Sequence, residues 1–284
     1  MSPSPLGFQL LARRIEIATD NAAVLAALRY LAHDAVQDVA PFGQVGFRVV
    51  ERDQGFQVFE DGAEIGAGLD PEGVMTLIYT HAHDAAFASL PPHLRLHAGC
   101  AQVDGRRILV VGRKRAGKTT LMLRLALDGV EVQGDEMVVV AANGLSMPFP
   151  RRFHVRAKTF ALLPELNGRE ADFPSATLPT GKRVYAIAPT ELGMRWRVPW
   201  SNIDCIVFLK NNHGGETALR KIGTEDALRR LHRQTAFPER SVAWLSELLG
   251  VVKQATNYVL INGDPNVASA MIRGLPHRMP LTGD

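Results

Sequence analysis

The sequence contains little of what would mark a specialised class of protein. It has only two cysteines, Cys100 and Cys205, too few for a disulfide framework and without the spacing of a metal-binding motif. We therefore expect both thiols to be reduced and to lie in the core. No apolar run approaches the length of a membrane span, and no internal repeat or low-complexity segment is present. What remains is an ordinary globular composition, with 46% hydrophobic and 21% charged residues.

The chain also lacks a strong charge of either sign. Its formal net charge is +3, and the basic excess is partly local, because Arg113, Lys114, Arg115 and Lys118 crowd one loop. We therefore expect no general nucleic-acid-binding surface. Residues 1–5 do not begin a basic segment followed by an apolar core, so no secretory signal is expected. These features predict a cytoplasmic protein with neither nucleic acid nor membrane among its partners.

What the sequence does contain is a phosphate-binding motif at residues 112–119. The apolar, β-branched residues 107–111 predict a buried strand, and residues 120–127 continue as a helix. Between them, Gly-Arg-Lys-Arg-Ala-Gly-Lys-Thr fits the P-loop pattern G-x-x-x-x-G-K-[ST]. The alternative is a turn that only resembles a P-loop.

The residue types of this motif suit the binding of a nucleotide. Gly112 and Gly117 let the backbone approach phosphate oxygens, and the amides and dipole of the helix start attract an anion. Lys118 is placed to bind the β- and γ-phosphates, and the Thr119 hydroxyl suits Mg²⁺. The predicted nucleotide-binding residues are Gly112, Arg113, Lys114, Arg115, Ala116, Gly117, Lys118, Thr119 and Thr120.

The fold class predicted from these patterns is α/β. Residues 1–92 contain strand and helix patterns without a phosphate-binding or nucleophile motif, and they are predicted to form a small α+β domain. Residues 93–284 contain the phosphate-binding motif together with further strand and helix patterns, and they are predicted to form a second, α/β domain.

Local patterns also predict individual elements. Residues 8–17 are predicted to form a strand, with Ile15 and Ile17 alternating along it. Each predicted N-cap precedes a stretch of helical apolar spacing, and the Asp70-Pro71 pair is the strongest signal because proline favours the first helical position. The predicted N-caps are Asp20, Asp70 and Thr224.

Polar residues are arranged around the P-loop in a specific order. Residues 94–103 predict a strand that carries His97 and turns back into the P-loop strand. Asp135 and Glu136 come one helix after the P-loop and open the next strand. The residues alone leave two alternatives open: a solvated acidic pair at a strand start, and a buried structural histidine at position 97.

This order resembles the catalytic domain of HPr kinase/phosphorylase and its smaller relatives, within the phosphoenolpyruvate-carboxykinase-like P-loop group. The matching stretches are residues 96–99, 112–119 and 134–136, and residues 148–151 are similar to the segment after the acidic pair in the smaller relatives. The specific resemblance covers about residues 94–152 and is loose elsewhere.

The resemblance implies that residues 93–284 form an HPr-kinase-like P-loop kinase domain with a mixed β-sheet. It also implies a function and a set of roles. Members of that family use ATP and Mg²⁺ to phosphorylate a Ser or Thr hydroxyl on a protein, a peptide or a small molecule. It implies that Asp135 is the general base, that His97 beside it tunes its protonation, and that Lys118 binds the phosphates. It also implies that Thr119, Asp135 and Glu136 hold the metal. Larger members assemble into rings, so a homo-oligomer is a candidate state.

The sequence departs from the family at several positions. Arg113, Lys114 and Arg115 stand where small residues and glycine are usual, and their charges either hold a polyphosphate or are merely solvated. Glu136 replaces an aspartate and reaches one methylene further. The arginine-rich motif of the phosphorolytic members is absent, so neither phosphorolysis nor HPr as the substrate is expected.

Two other functions are alternatives to the kinase. A regulatory protein could bind ATP through the P-loop as a sensor without transferring phosphate, and the basic loop and Glu136 favour it. A decarboxylating carboxykinase is disfavoured, because the 284-residue chain is short and has no matching substrate-binding elements.

Overall fold

The contacts within the chain divide it into two compact units. The first unit consists of residues 1–91 and 150–188, and the second consists of residues 92–149 and 189–284. These units differ from the predicted domains, 1–92 and 93–284, because residues 150–188 group with the first unit. The computed structural model describes residues 5–177, 181–239 and 241–278. Residues 1–4 and 279–284 of the predicted domains therefore lie outside the described residues.

The described residues form several β-sheets and seven α-helices, which makes the protein a mixed α/β protein. Up to residue 149 the elements are β1 (Leu6–Leu10), β2 (Arg13–Ala18), α1 (Ala22–Leu28), β3 (Val36–Gln37), β4 (Gln44–Arg52), β5 (Gly55–Glu60), β6 (Ala63–Leu69), α2 (Pro71–Ala88), β7 (His93–Leu96), β8 (Ala98–Val103), β9 (Arg106–Gly112), α3 (Lys118–Leu127), β10 (Glu131–Gly134), β11 (Val138–Ala141) and β12 (Ser146–Pro148). They continue as β13 (Phe153–Arg156), α4 (Ala157–Phe160), β14 (Ser175–Thr177), β15 (Arg183–Ile187), β16 (Arg197–Val198), β17 (Cys205–Asn211), β18 (Ala218–Lys221), α5 (Thr224–His232), β19 (Thr235–Ala236), α6 (Val242–Gln254), β20 (Thr256–Asn262) and α7 (Pro265–Arg273).

The first unit is built on a five-stranded sheet in the order β1-β2-β4-β5-β6, which is antiparallel except for the parallel pair β2 and β4. Helices α1 and α2 contact each other, and α2 packs on the sheet. A three-stranded antiparallel sheet, β13-β15-β14, belongs to the same unit. Arg152 Nε donates to the Ala32 carbonyl over 2.6 Å, and Arg151 Nη1 donates to the Tyr79 hydroxyl over 3.0 Å. These bonds attach residues 150–188 to the preceding part of the unit.

Three of the local predictions in this unit can be compared with the structure: one is confirmed and two are wrong. Asp70 caps α2, since its carboxylate accepts from Gly73 N over 2.7 Å, as predicted. The prediction for Asp20 is wrong: the side chain of Asn21 accepts from the first amides of α1. The single strand predicted over residues 8–17 is also wrong, because the chain reverses between β1 and β2 at Leu11, which has φ 52°.

The second unit is built on a six-stranded mixed sheet in the order β10-β8-β9-β17-β20-β18. Strands β9, β17 and β20 are mutually parallel, and the remaining pairs are antiparallel. The carboxyl ends of the three parallel strands therefore lie at one edge, where Leu209 pairs with Gly112 and Asn211 with Asn262. Helices α3 and α7 contact each other and strands of this sheet. Side chains of β7, β11, α5 and α6 share a buried core with side chains of β8, β9, β17 and β20.

Residues 94–103 do not form the single strand predicted for them. They contribute to two strands, β7 and β8, which belong to different sheets, since β7 lies in a four-stranded antiparallel sheet of order β12-β11-β7-β19. The crossing point is His97, whose backbone N–H donates to the Gln234 carbonyl over 2.7 Å. The predicted cap Thr224 is also wrong, because Gly223 is the N-cap of α5 and Thr224 is its first helical residue.

Both cysteines are buried and neither forms a disulfide, as predicted. Burial raises the pKa of the Cys100 thiol to about 11 and the pKa of the Cys205 thiol to about 12. Among the helices in the described part of the chain, none has both the length and the hydropathy that a membrane span requires.

Candidate functional site

The residues of the P-loop motif lie between the end of β9 and the start of α3. The N-cap of α3 is Gly117, in the left-handed conformation with φ 91°, and no side chain caps the first turn. An uncapped first turn presents amide N–H groups and the positive end of the helix dipole to a ligand. Thr120 lies in this turn and is half-buried. The backbone therefore has the elements of an anion site.

Close packing explains why the motif needs its glycines. A Cβ on Gly117 would lie 2.8 Å from Asn262 Nδ2 and 3.3 Å from His213 Cε1. A Cβ on Gly112 would lie 3.2 Å from the Cβ of Leu209. Since contacts below 3.0 Å are not tolerated, any side chain at position 117 would have to displace Asn262.

The basic residues within the loop point to solvent. Arg113, Lys114 and Arg115 are exposed, whereas Ala116 is buried and its N–H donates to the Arg113 carbonyl over 3.0 Å. Arg115 has φ 72°, a conformation that a side chain disfavours and glycine does not. The loop thus keeps the backbone geometry of a glycine at a position occupied by arginine.

Lys118, Thr119 and Asp135 meet at the start of α3. Thr119 Oγ1 donates to Asp135 Oδ2 over 2.9 Å, and Lys118 Nζ donates to the main-chain oxygen of Asp135. Asp135 and Lys118 are 2% and 7% exposed. The structure therefore brings together the lysine, the hydroxyl and the acid that the sequence singled out.

His97 and Glu136 form a second, more exposed pair beside these residues. His97 Nε2 lies 3.7 Å from Glu136 Oε1, and their side chains are 36% and 43% exposed. Burial lowers the pKa of His97, and so does the charge of Lys118. The charges of Glu136 and Asp135 and a hydrogen bond between His97 and the Gln234 side chain oppose these effects. The net effect is to lower the pKa of His97 below its usual value.

Two buried side chains that the sequence analysis did not single out fix the strand leading to Asp135. Trp196 Nε1 donates to the main-chain oxygen of Gln133 over 3.0 Å. Arg107, only 1% exposed, donates through Nη2 to Gln133 Oε1 over 3.1 Å and to the Pro199 carbonyl over 2.8 Å. These bonds hold β10, and with it Asp135, in place. No sequence signal separates Arg107 from the apolar strand that contains it.

The sequence analysis also missed two residues on the far side of the P-loop. Asn262 ends β20 and is 3% exposed, and its Oδ1 accepts no hydrogen bond from the described residues. His213 lies in the loop after β17, and it borders Gly117 together with Asn262. Ligands of parallel sheets bind beyond the carboxyl ends of the strands, but only the strand order places these two residues at that edge.

The residues at the start of α3 fit the binding of Mg²⁺ and a nucleoside triphosphate. Mg²⁺ in such sites takes one or two carboxylates, a hydroxyl and phosphate oxygens, and the Thr119 hydroxyl and the Asp135 carboxylate are already adjacent. The uncapped first turn of α3 supplies amides for the phosphates. The ranges that the structure describes contain no group of three or more His, Cys, Asp or Glu residues able to hold a metal ion.

Comparison with known proteins adds a weak structural likeness. No protein-family model matches the chain, and no curated protein matches it. Among solved structures, the chain is similar to the Hpr(Ser) kinase/phosphatase from Coxiella burnetii, with 11% sequence identity and a TM-score of 0.33. The match covers 65% of this chain and 97% of that chain. At this identity and score the likeness does not establish a shared fold or a shared activity.

Proposed function

We propose that this protein is a kinase that transfers the γ-phosphate of ATP to a Ser or Thr hydroxyl of a peptide, a protein or a small molecule. The observation that carries the proposal is the 2.9 Å hydrogen bond between the P-loop residue Thr119 and Asp135. A carboxylate in direct contact with a P-loop hydroxyl can bind the metal of a metal-bound triphosphate. From the same place it can accept the proton of an attacking alcohol. Phosphoryl transfer mainly requires such positioning and neutralisation of charge.

Each residue then has a chemical task. The amides of the first turn of α3 and the Lys118 ammonium bind the phosphates. Thr119 and Asp135 would hold Mg²⁺, with Glu136 able to assist, and the metal supplies neutralisation of phosphate charge when bound. Asp135 accepts the proton of the acceptor hydroxyl. The acceptor oxygen forms a bond to the γ-phosphorus as the bond to the β–γ bridging oxygen breaks, and ADP leaves.

His97 completes the arrangement as a positioning residue. His97 Nε2 lies 3.7 Å from Glu136 Oε1, so it can position the Glu136 carboxylate beside the site. Gln234, bonded to His97 through both its side chain and its backbone carbonyl, holds the ring in place. The proposed catalytic residues are therefore Asp135 and Lys118, with His97 supporting them.

Mass spectrometry of acceptors tests this function. Purified protein, ATP and Mg²⁺ are incubated with serine- and threonine-containing peptides and small alcohols, and Lys118→Ala is run in parallel. We expect phosphate on a hydroxyl with the wild type and none with the variant. The proposal fails if no acceptor gains phosphate and Asp135→Ala leaves nucleotide turnover unchanged.

A second candidate is a nucleotide-sensing regulator that binds ATP without transferring phosphate. The exposed basic residues of the P-loop and the arginine at position 115 favour it, because a loop adapted for tight polyphosphate binding need not turn over its ligand. Tight ATP binding without turnover, accompanied by a changed affinity for a partner protein, would support this function instead of the kinase.

A further inference from the structure

A cleft of about 430 Å³ opens beside His97 in the second unit. Its volume falls within the range of small-molecule and side-chain binding sites. Two segments supply most of its wall: β7 with the residue after it, and the chain from the end of α5 through β19. These segments contribute Arg95, His97, Arg233 and Gln234 to the lining.

The cleft and the proposed catalytic centre share His97. Arg95 and His97 both line the cleft, whereas Leu94 and Leu96, which alternate with them along the chain, are fully buried. Strand β19 pairs with β7, which places Ala236 opposite Arg95. A molecule in the cleft therefore lies against the residue that borders the Glu136 carboxylate.

The charge of the cleft is of one sign. Its lining includes two arginines, Arg95 and Arg233, and no aspartate or glutamate. Within the described residues, no acidic side chain forms an ion pair with the exposed Arg233. The neighbouring arginines of α5, in contrast, do form ion pairs. Arg230 Nε lies 3.0 Å from Asp226 Oδ2, and Arg229 Nη2 lies 3.9 Å from Asp226 Oδ1.

We infer that the acceptor carries a carboxylate close to its hydroxyl, and that Arg233 and Arg95 bind this carboxylate in the cleft while the hydroxyl lies beside His97. The inference rests on the proposed kinase function and names its class of acceptor. A guanidinium presents paired N–H donors that match the two oxygens of a carboxylate. An acidic peptide and a small hydroxy acid share this chemistry, and the experiment separates them.

Equilibrium binding tests the inference without requiring turnover. The full-length protein is titrated with seven-residue peptide pools that have a central serine and either glutamate or glutamine fixed at one neighbouring position, with the rest randomised. L-serine and serinamide form the small-molecule pair. We expect a carboxylate-bearing probe to bind about tenfold more tightly than its amide partner at low ionic strength, and salt to reduce the difference.

Two variants locate the effect. Arg233→Gln removes the exposed guanidinium of the cleft and should abolish the preference for the carboxylate. Arg229→Gln removes an exposed guanidinium of α5 that does not line the cleft, and should leave the preference unchanged. If the glutamate pools show the preference, the acceptor is an acidic peptide, and if L-serine shows it, the acceptor is a small hydroxy acid.

Three results would overturn the inference: equal affinities for carboxylate and amide probes, a preference that survives in Arg233→Gln, or no measurable binding of any carboxylate-bearing probe. None of these results would contradict the proposed kinase function. That function fails separately, if no hydroxyl compound of any charge gains phosphate from ATP.

Discussion

Thr119 Oγ1 and Asp135 Oδ2 lie 2.9 Å apart, so a hydrogen bond joins the P-loop helix to the acid that follows β10. Asp135 receives a second bond, from Lys118 Nζ to its main-chain oxygen. Both donors are groups that a P-loop offers to a nucleotide. We therefore expect phosphate oxygens to take over the Lys118 donor when a nucleotide binds.

The Thr119 hydroxyl should matter for nucleotide binding only when Mg²⁺ is present. Thr119→Val keeps the shape of the side chain and removes its oxygen. We expect the affinity for ATP with Mg²⁺ to fall about tenfold, equivalent to roughly 1.5 kcal/mol for one bond to a charged group. Isothermal titration in Mg²⁺ and in EDTA measures this. Thr119→Ser, which keeps the hydroxyl, is the control, and an equal loss in EDTA would contradict the assignment.

Gly117 should tolerate no side chain, for two separable reasons. Its φ of 91° disfavours any side chain, and a Cβ would meet Asn262 Nδ2 at 2.8 Å. Gly117→Ala should destabilise the second unit by about 1–3 kcal/mol. The double variant Gly117→Ala/Asn262→Ala should recover only the part of the lost stability that comes from the steric contact with Asn262. Tryptophan fluorescence during urea unfolding reports on this unit, because all three tryptophans lie in it. If the double variant regained the full stability of the wild type, the left-handed backbone conformation at position 117 would not contribute to the loss.

Arg115 should store backbone strain. At φ 72° a side chain costs about 1 kcal/mol or more, whereas glycine is tolerated. We expect Arg115→Gly to raise the free energy of unfolding of the second unit by up to about 1 kcal/mol, since the greater freedom of glycine in the unfolded chain offsets part of the gain. Arg115→Gln removes the charge and keeps the strain, so it is the control. Equal stabilisation by both variants would attribute the effect to charge.

The first unit should lose stability in acid because of two half-buried histidines, His33 and His83. Burial, with the nearby charges of Arg152 and His83, lowers the pKa of His33 to about 3. Burial also lowers the pKa of His83 to about 4, assisted by Arg151 and opposed by a hydrogen bond to the Tyr79 carbonyl. A lowered pKa means that the unfolded chain binds protons first, so stability is complete above pH 6.5 and falls as the pH drops towards 4.

For His83 alone this linkage amounts to about 2 kcal/mol at pH 5. Far-UV circular dichroism during urea unfolding at pH 7 and pH 5 measures the loss for the whole chain, and tryptophan fluorescence isolates the second unit. His83→Gln should reduce the pH dependence, whereas His277→Gln, at an exposed position with a side chain 81% accessible, should not. A pH dependence that is identical in both variants would refute the role of His83.

Local chemistry accounts for the parts of the fold that the sequence predicted. The Asp70 cap needs only an acid, a proline and a following apolar face. The strand, the P-loop pattern and the helix of residues 107–127 are read from neighbouring residues in the same way. The structure brings Lys118, Thr119 and Asp135 together, but their roles stay predictions.

Features set by tertiary packing could not be predicted. The alternation of residues 94–103 is the same whether they form one strand or pass between two sheets, and only the pairing partners of β7 and β8 reveal the break at His97. The buried role of Arg107 could not be predicted either, because its acceptors, Gln133 and the Pro199 carbonyl, are distant in the sequence. Gln234 and Asn262 reach the site through the order of the strands, which no local pattern specifies.

The most direct test of the account compares the chemical step with binding in one variant. Wild type and Asp135→Asn are saturated with ATP and Mg²⁺, and transfer of the γ-phosphate to an acceptor hydroxyl is followed in a single turnover. We predict that transfer falls at least about 100-fold in Asp135→Asn, as for loss of a general base, while affinity for the nucleotide changes less than about tenfold. Equal transfer rates in the two proteins would contradict the assignment of Asp135 and with it the proposed mechanism.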